Sequence, residues 1–151
     1  MSFKENMRHG ITLIELLTVI AIIGILVGVA VPTLSHYLPG IQLNGSARTL
    51  SSNLREAQER AVTEQKSYSI HFTTDATPVY YQMIKIDGAE EIHKINLANN
   101  ETVTLADTIS DNEIIFSSDG SPTSSYGDIT LRLNDVEKVI NVSHAGFIKI
   151  Q

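Results

Sequence analysis

Residues Gly10-Ile11-Thr12-Leu13-Ile14-Glu15 open the stretch that decides how this chain is built. Behind Glu15 runs an apolar segment, and from Leu16 to Leu38 there is no Asp, Glu, Lys or Arg. At 1.5 Å rise per residue, about 20 helical residues cross the roughly 30 Å hydrocarbon core of a bilayer, so residues 11–34 are long enough. The run is apolar all round, as an embedded helix must be. Glu15 is the exception. A carboxylate within such a segment costs at least about 2.5 kcal/mol and calls for a partner. A positive group on a neighbouring copy of the same helix would supply one. A basic start followed by an apolar run also describes a secretory signal peptide or a plain anchor. A signal peptide has a shorter apolar core and a small-x-small cleavage site after it, and a plain anchor has no use for Glu15.

The pattern resembles the class III signal of type IV pilins and type II secretion pseudopilins. The resemblance implies that residues 1–10 are a leader, held in the cytoplasm through Lys4 and Arg8 by the positive-inside rule. A prepilin peptidase would cut between Gly10 and Ile11, and the new N-terminal Ile11 would be methylated. Glu15 becomes the fifth mature residue, which in this family helps subunits dock. Pro32 falls where the family usually carries a helix-kinking Pro. Ile11 departs from the pattern, because Phe or Met is commoner there. Gly24 and Gly28 form a small-xxx-small pair of the kind that permits close helix approach or is simply tolerated in membrane helices. In assembled pili of the family the segment between such a Gly and such a Pro often loses helical order.

The 151 residues leave room for one domain beyond the N-terminal segment. There is no Cys, so no disulfide or thiolate metal site exists. Formal net charge is −6, and loss of Lys4, Arg8 and Glu5 with the leader leaves about −7. An acidic domain is a poor general ligand for nucleic acid, whose phosphates need clustered Lys or Arg.

Pro39-Gly40 and Asn44-Gly45 predict a kink or short break after the apolar run. Helical character resumes near Ser46, with Asn44 or Ser46 as candidate cap. Ala47, Leu50, Leu54, Ala57 and Ala61 recur at spacings of three and four and predict a core-facing stripe. The opposite face predicts i,i+4 ion pairs Arg55–Glu59 and Glu56–Arg60. After Lys66 the period becomes two. Strands are predicted at 67–73, 79–86, 91–97, 102–105, 113–116, 128–133, 138–143 and 147–150. Turns are predicted at 75–78, at Asp87-Gly88, Asn99-Asn100, 119–122, Asn134-Asp135 and Ala145-Gly146. Residues 117–126, small and polar, are the expected flexible loop. The expected fold is α+β: a long N-terminal hydrophobic helix continuing into an amphipathic helix packed on an antiparallel, β-rich, sandwich-like domain. Its parts are a leader (1–10), a transmembrane and assembly helix (11–38), a kinked region with the amphipathic helix (39–66) and a β-rich domain (67–151).

Ile115-Phe116-Ser117-Ser118-Asp119-Gly120, then 128–133, then Ile140 to Ile148 through His144-Ala145-Gly146-Phe147, resemble the C-terminal half of the GspH/FimT group of pseudopilins. Ala57-Gln58 departs from it, since members often carry Ala-Arg. The resemblance implies a minor pseudopilin of the type II secretion system, at or near the tip of a periplasmic pseudopilus. The alternative is a minor, FimT-like type IV pilin for pilus assembly or DNA uptake. Its implied partners are the prepilin peptidase/methyltransferase, other pilins or pseudopilins and the bacterial inner membrane, crossed once with the C-terminal domain in the periplasm.

No catalytic residue, metal site or cofactor is expected. His9, His36, His71, His93 and His144 show no ligand spacing such as HExxH. Asp107, Asp111, Glu113 and Asp119 do not follow the EF-hand pattern, and Ser117, Ser118 and Ser121 lack a nucleophile-elbow context. DNA is not an expected partner either. DNA-receptor members add Arg near the C-terminus, whereas this chain ends in Gly146-Phe147-Ile148-Lys149-Ile150-Gln151. In gel-shift titrations at two salt concentrations the protein will therefore bind duplex DNA no better than a generic acidic protein. Micromolar, steeply salt-dependent binding that disappears on combining Arg132→Ala, Lys138→Ala and Lys149→Ala would contradict this.

Overall fold

The computed structural model describes residues 11–151 apart from Asn99 and Ser124, and only the backbone of Pro32, Thr33, Ser35 and His36. The chain divides into two compact units, Met1–Leu38 and Pro39–Gln151. One helix, α1 (Leu13–Glu64), is followed by eight strands: β1 (Tyr68–Thr73), β2 (Tyr80–Lys85), β3 (Glu90–Asn96), β4 (Glu101–Leu105), β5 (Glu113–Phe116), β6 (Gly127–Leu133), β7 (Val136–Val142) and β8 (Ile148–Ile150).

The break expected at Pro39-Gly40 and Asn44-Gly45 is absent: helical backbone runs without interruption through 39–45. An interior Pro costs about 3 kcal/mol and each Gly about 1 kcal/mol relative to Ala. Burial offsets this. Leu43, Leu50 and Leu54 are 0% exposed, and each such side chain contributes about 1.5–3 kcal/mol. Nor do Asn44 and Ser46 cap a helix start. The Asn44 amide donates back to the Gly40 carbonyl at 2.8 Å, and the Ser46 hydroxyl donates to Glu101 Oε2 at 2.9 Å. The helix ends where Gln65 turns left-handed (φ 53) and the Lys66 N–H reaches back to Ala61 O at 3.2 Å.

The strands form two four-stranded antiparallel sheets, ordered β3-β2-β1-β5 and β4-β6-β7-β8. Their inward residues alternate as a half-buried sheet demands: Tyr68, Ile70 and Phe72 on β1, Ile129, Leu131 and Leu133 on β6. These join the helical stripe in one core cluster. On β3 the alternation breaks. Ile92 and Ile95 are three residues apart, yet both pack against the core. The register shift between Met83 and Ile84 explains it: Met83 pairs with His93 but Ile84 with Glu91, so β3 carries one extra residue, a β-bulge. The strand expected at 138–143 starts two residues earlier, because Leu133 pairs with Val136 across a two-residue turn with Asn134 at φ 54.

Residues 117–126, expected as a flexible loop, begin as a tied turn. Asp119 Oδ1 accepts from the Ser117 and Ser121 hydroxyls at 2.5 and 2.8 Å and from the Ser121 N–H at 3.1 Å. Gln58 then fastens two loops to the helix, its Nε2 donating to Gly120 O at 2.7 Å and Gly146 O at 3.0 Å. Both loops need glycine. Gly146 has φ +80, and a Cβ there would stand 2.6 Å from Gln58 Nε2 and 2.8 Å from Gly120 O.

Glu101 is a second polar anchor. It is only 2% exposed, and Oε2 also accepts the Ala98 N–H at 3.3 Å, while Oε1 is buried without a partner among the described residues. Burial pushes its carboxyl above the usual range. Tyr81 is likewise raised to about 12, by burial first, and accepts from the Asn53 amide at 2.8 Å.

Gly146→Ala will lower stability by about 3 kcal/mol, the scale of a strained backbone plus lost hydrogen bonds. Gln58→Ala will cost less, both being read as a fall in Tm of the full chain in detergent. Because the folded pKa of Glu101 is raised, its contribution is whole below the ordinary carboxylate pKa and is lost as pH rises through the folded value. Glu101→Gln will therefore gain Tm relative to wild type between pH 4 and pH 7. A difference that stays constant or shrinks over that range would contradict a raised carboxyl pKa.

Candidate functional site

Two features of the chain stand outside ordinary core-and-surface packing. The first is the start of α1. Leu13–Val31, 19 residues with mean hydropathy 2.7, is long and apolar enough to cross a membrane, and none of it is buried in the structure. An apolar surface of this extent calls for lipid or another protein. Glu15 sits in the first turn. The Thr12 hydroxyl accepts the Glu15 N–H at 3.3 Å, and Thr12 O accepts the Leu16 N–H at 3.1 Å. Thr12-x-x-Glu15 thus has the spacing of a capping box, and the structure shows its Thr half. The spacing is legible in the sequence alone.

The Glu15 carboxylate is exposed, and no cation among the described residues pairs with it. Its negative charge at a helix N-terminus is favourable in itself, by a few tenths to about 1 kcal/mol, a small return against the cost of taking a carboxylate into hydrocarbon. Ile11, 78% exposed, precedes the helix. Gly10 and the rest of the expected leader, with Lys4, Arg8 and His9, lie outside the described residues. Pro32 lies within helical backbone.

The second feature is the solvent face of the last turns of α1. Glu56 pairs with Arg60 at 2.9 Å as its spacing predicts. The expected Arg55–Glu59 pair does not form. Arg55 Nη2 donates instead to Ile148 O, at 3.0 Å, an edge carbonyl of β8 in need of a donor. Glu59 is left exposed. Beside it two adjoining clefts, about 410 and 270 Å³, run between the helix and the loops at Gly120 and Gly146. Asp119 lines the first and is held to about 2, chiefly by the Ser117 hydroxyl and then by Ser121. Phe147 lines the second and is 75% exposed. Glu64 is held below the usual carboxylate range by Lys85, 2.6 Å away. Sequence reasoning missed this groove, whose walls come from residues about 60 and 90 positions apart.

His93 is exposed with Nε2 3.7 Å from Glu56 Oε1, and His144 stacks edge-on against Tyr126 at 5.1 Å. Among the described residues no group of three or more His, Cys, Asp or Glu is arranged to hold a metal.

Residues 6–31 match the prokaryotic N-terminal methylation motif, and residues 46–146 match the family model described as type II transport protein GspH. The type II secretion system protein H of Pseudomonas aeruginosa PAO1 is 31% identical over 82 residues, 54% of this chain and 45% of that relative. The match thus spans less than half the relative's length. Among solved structures, the type IV minor pilin FimU of P. aeruginosa superposes with a TM-score of 0.60 at 21% identity, covering 72% of this chain and 87% of FimU. The minor pseudopilin EpsH from the Vibrio cholerae type 2 secretion system gives 0.56 at 13% identity, covering 73% and 96%. At those identities the likeness is one of fold. The family model spans more than half of the sequence, including the helical stripe and all eight strands but the last, and the chain belongs to the type II transport protein GspH family.

Proposed function

We propose that the chain is a minor pseudopilin of the type II secretion system, a structural and not an enzymatic subunit, placed at or near the tip of a short periplasmic filament. The observation that carries this reading is the conjunction of a GspH-type folded unit with an N-terminal methylation motif on a bare apolar helix holding one carboxylate. Leu13–Val31 holds the precursor in the inner membrane, with Lys4 and Arg8 on the cytoplasmic side. A prepilin peptidase removes residues 1–10 and frees the amine of Ile11, which is then methylated and keeps its positive charge.

Glu15 pairs with such an amine on a neighbouring subunit. In a low-dielectric helix bundle a wrong register strands both charges, at several kcal/mol, so the pair selects one alignment. Pro32 lacks the N–H that would bond to Gly28 O, and it is where this helix bends to fit its neighbours. The folded unit Pro39–Gln151 faces the periplasm and meets the other subunits. The likeness to FimU favours a second reading in the same class, a minor type IV pilin.

Intact-mass measurement of the membrane-extracted protein will show a chain beginning at methylated Ile11. Glu15→Val will be processed to the same N-terminus yet will enter filaments or subunit complexes at least about tenfold less, the factor that 1.4 kcal/mol represents. A mature chain that retains Met1, or Glu15→Val assembling like wild type, refutes the corresponding step.

A further inference from the structure

The groove between the end of α1 and the two glycine loops is built and charged. Its floor is fixed by Gln58, whose two amide hydrogens are both committed to loop carbonyls. Its carboxylates are Glu59, without an ion pair among the described residues, and Asp119, held ionised by its hydroxyl and amide donors. The cation on its rim, Arg55, donates to Ile148 O and keeps its charge, so the groove carries two carboxylates against one guanidinium. The other nearby cation, Arg60, is taken by Glu56 at 2.9 Å.

The apolar part of the groove is equally unsatisfied. Val62 is 44% and Phe147 75% exposed. The backbone that carries Phe147 is pinned: its N–H is bonded to the Ser143 hydroxyl at 2.9 Å and the adjacent Gly146 is bonded through both N–H and C=O. A single exposed apolar residue is ordinary. An exposed aromatic on a pinned backbone, lining the same cleft as an unpaired carboxylate, has the make-up of a binding anchor.

We propose that this groove docks a segment of another polypeptide in which Lys or Arg adjoins an apolar side chain. The cation sits between Glu59 and Asp119, and the apolar group lies against Val62 and Phe147. Charge complementarity makes the choice: two carboxylates outnumber the single rim cation and disfavour acidic segments and phosphates, and a purely apolar segment would bury Glu59 without a partner. The proposal concerns Pro39–Gln151 and is independent of how the N-terminal helix assembles.

The test uses the full chain in neutral detergent micelles with Phe147 replaced by 4-fluorophenylalanine. The capped peptides Gly-Arg-Leu-Arg-Gly-Ser and Gly-Glu-Leu-Glu-Gly-Ser are titrated in while the ¹⁹F resonance is followed. The Arg peptide will give a saturable shift and the Glu peptide none. Glu59→Gln will raise the Kd of the Arg peptide about three- to fivefold, the upper end for one exposed ion pair, whereas Glu90→Gln on β3 will change it less than about twofold. Absence of a saturable shift, an equal response to both peptides, or equal losses in the two variants would overturn the proposal. So would a shift that appears on concentrating the chain without peptide, which would assign the groove to a second copy. Failure of the chain to enter filaments would leave this titration unchanged.

Discussion

One stripe of α1 sets the position of everything in the folded unit. Leu43, Ala47, Leu50, Leu54, Ala57 and Ala61 are at most 1% exposed. The three alanines let the backbone come close, and the large side chains of the core, Tyr68, Phe72, Tyr81 and Phe116, come from the sheets instead. With that face fixed, the flanking polar residues have one set of partners each: Ser46 with Glu101, Asn53 with Tyr81, Arg55 with Ile148, Gln58 with Gly120 and Gly146. A slip of one residue would rotate the helix by about 100° and break all of these contacts together. Each hydrogen bond is worth about 1 kcal/mol net and each buried Leu about twice that, so the apolar stripe chooses the register and the polar contacts sharpen it.

What the sequence made legible follows from this division. Stripe and strands are local periodicities, and the helical face and all eight strands were readable from them. Sheet order was not, because it depends on pairings such as β1 with β5 and β4 with β6, which join segments far apart in the chain. The bulge on β3 disguised Ile92 and Ile95 as a broken alternation. Glu101 lies just before the strand predicted at 102–105, whereas in the structure it opens β4 as a buried post against Ser46. The unbroken helix across Pro39 and Gly45 was illegible for the opposite reason: local propensity argued for a break, and tertiary burial of Leu43 and Ala47 overrode it.

The candidate sites divide the same way. Glu15 was readable because an isolated charge in an apolar run is conspicuous without any structure. The groove was not, since the decisive event, Arg55 leaving Glu59 for Ile148 O, needs the far end of the chain to be in place. Helix spacing alone predicts the intrahelical pair, worth only a few tenths of a kcal/mol. A buried-edge carbonyl lacking a donor outweighs it.

That same contact bears on how the chain survives before it finds partners. Open sheet edges are templates for indiscriminate strand addition between molecules, a danger that grows when many copies are confined to one plane. Here β8 is three residues long, and its outward Ile148 carbonyl is already occupied by Arg55. The opposite extreme of the other sheet, β3, is bulged and carries Glu90, Glu91 and Lys94. These two of the four sheet edges are thus poor seeds for cross-β aggregation between crowded copies.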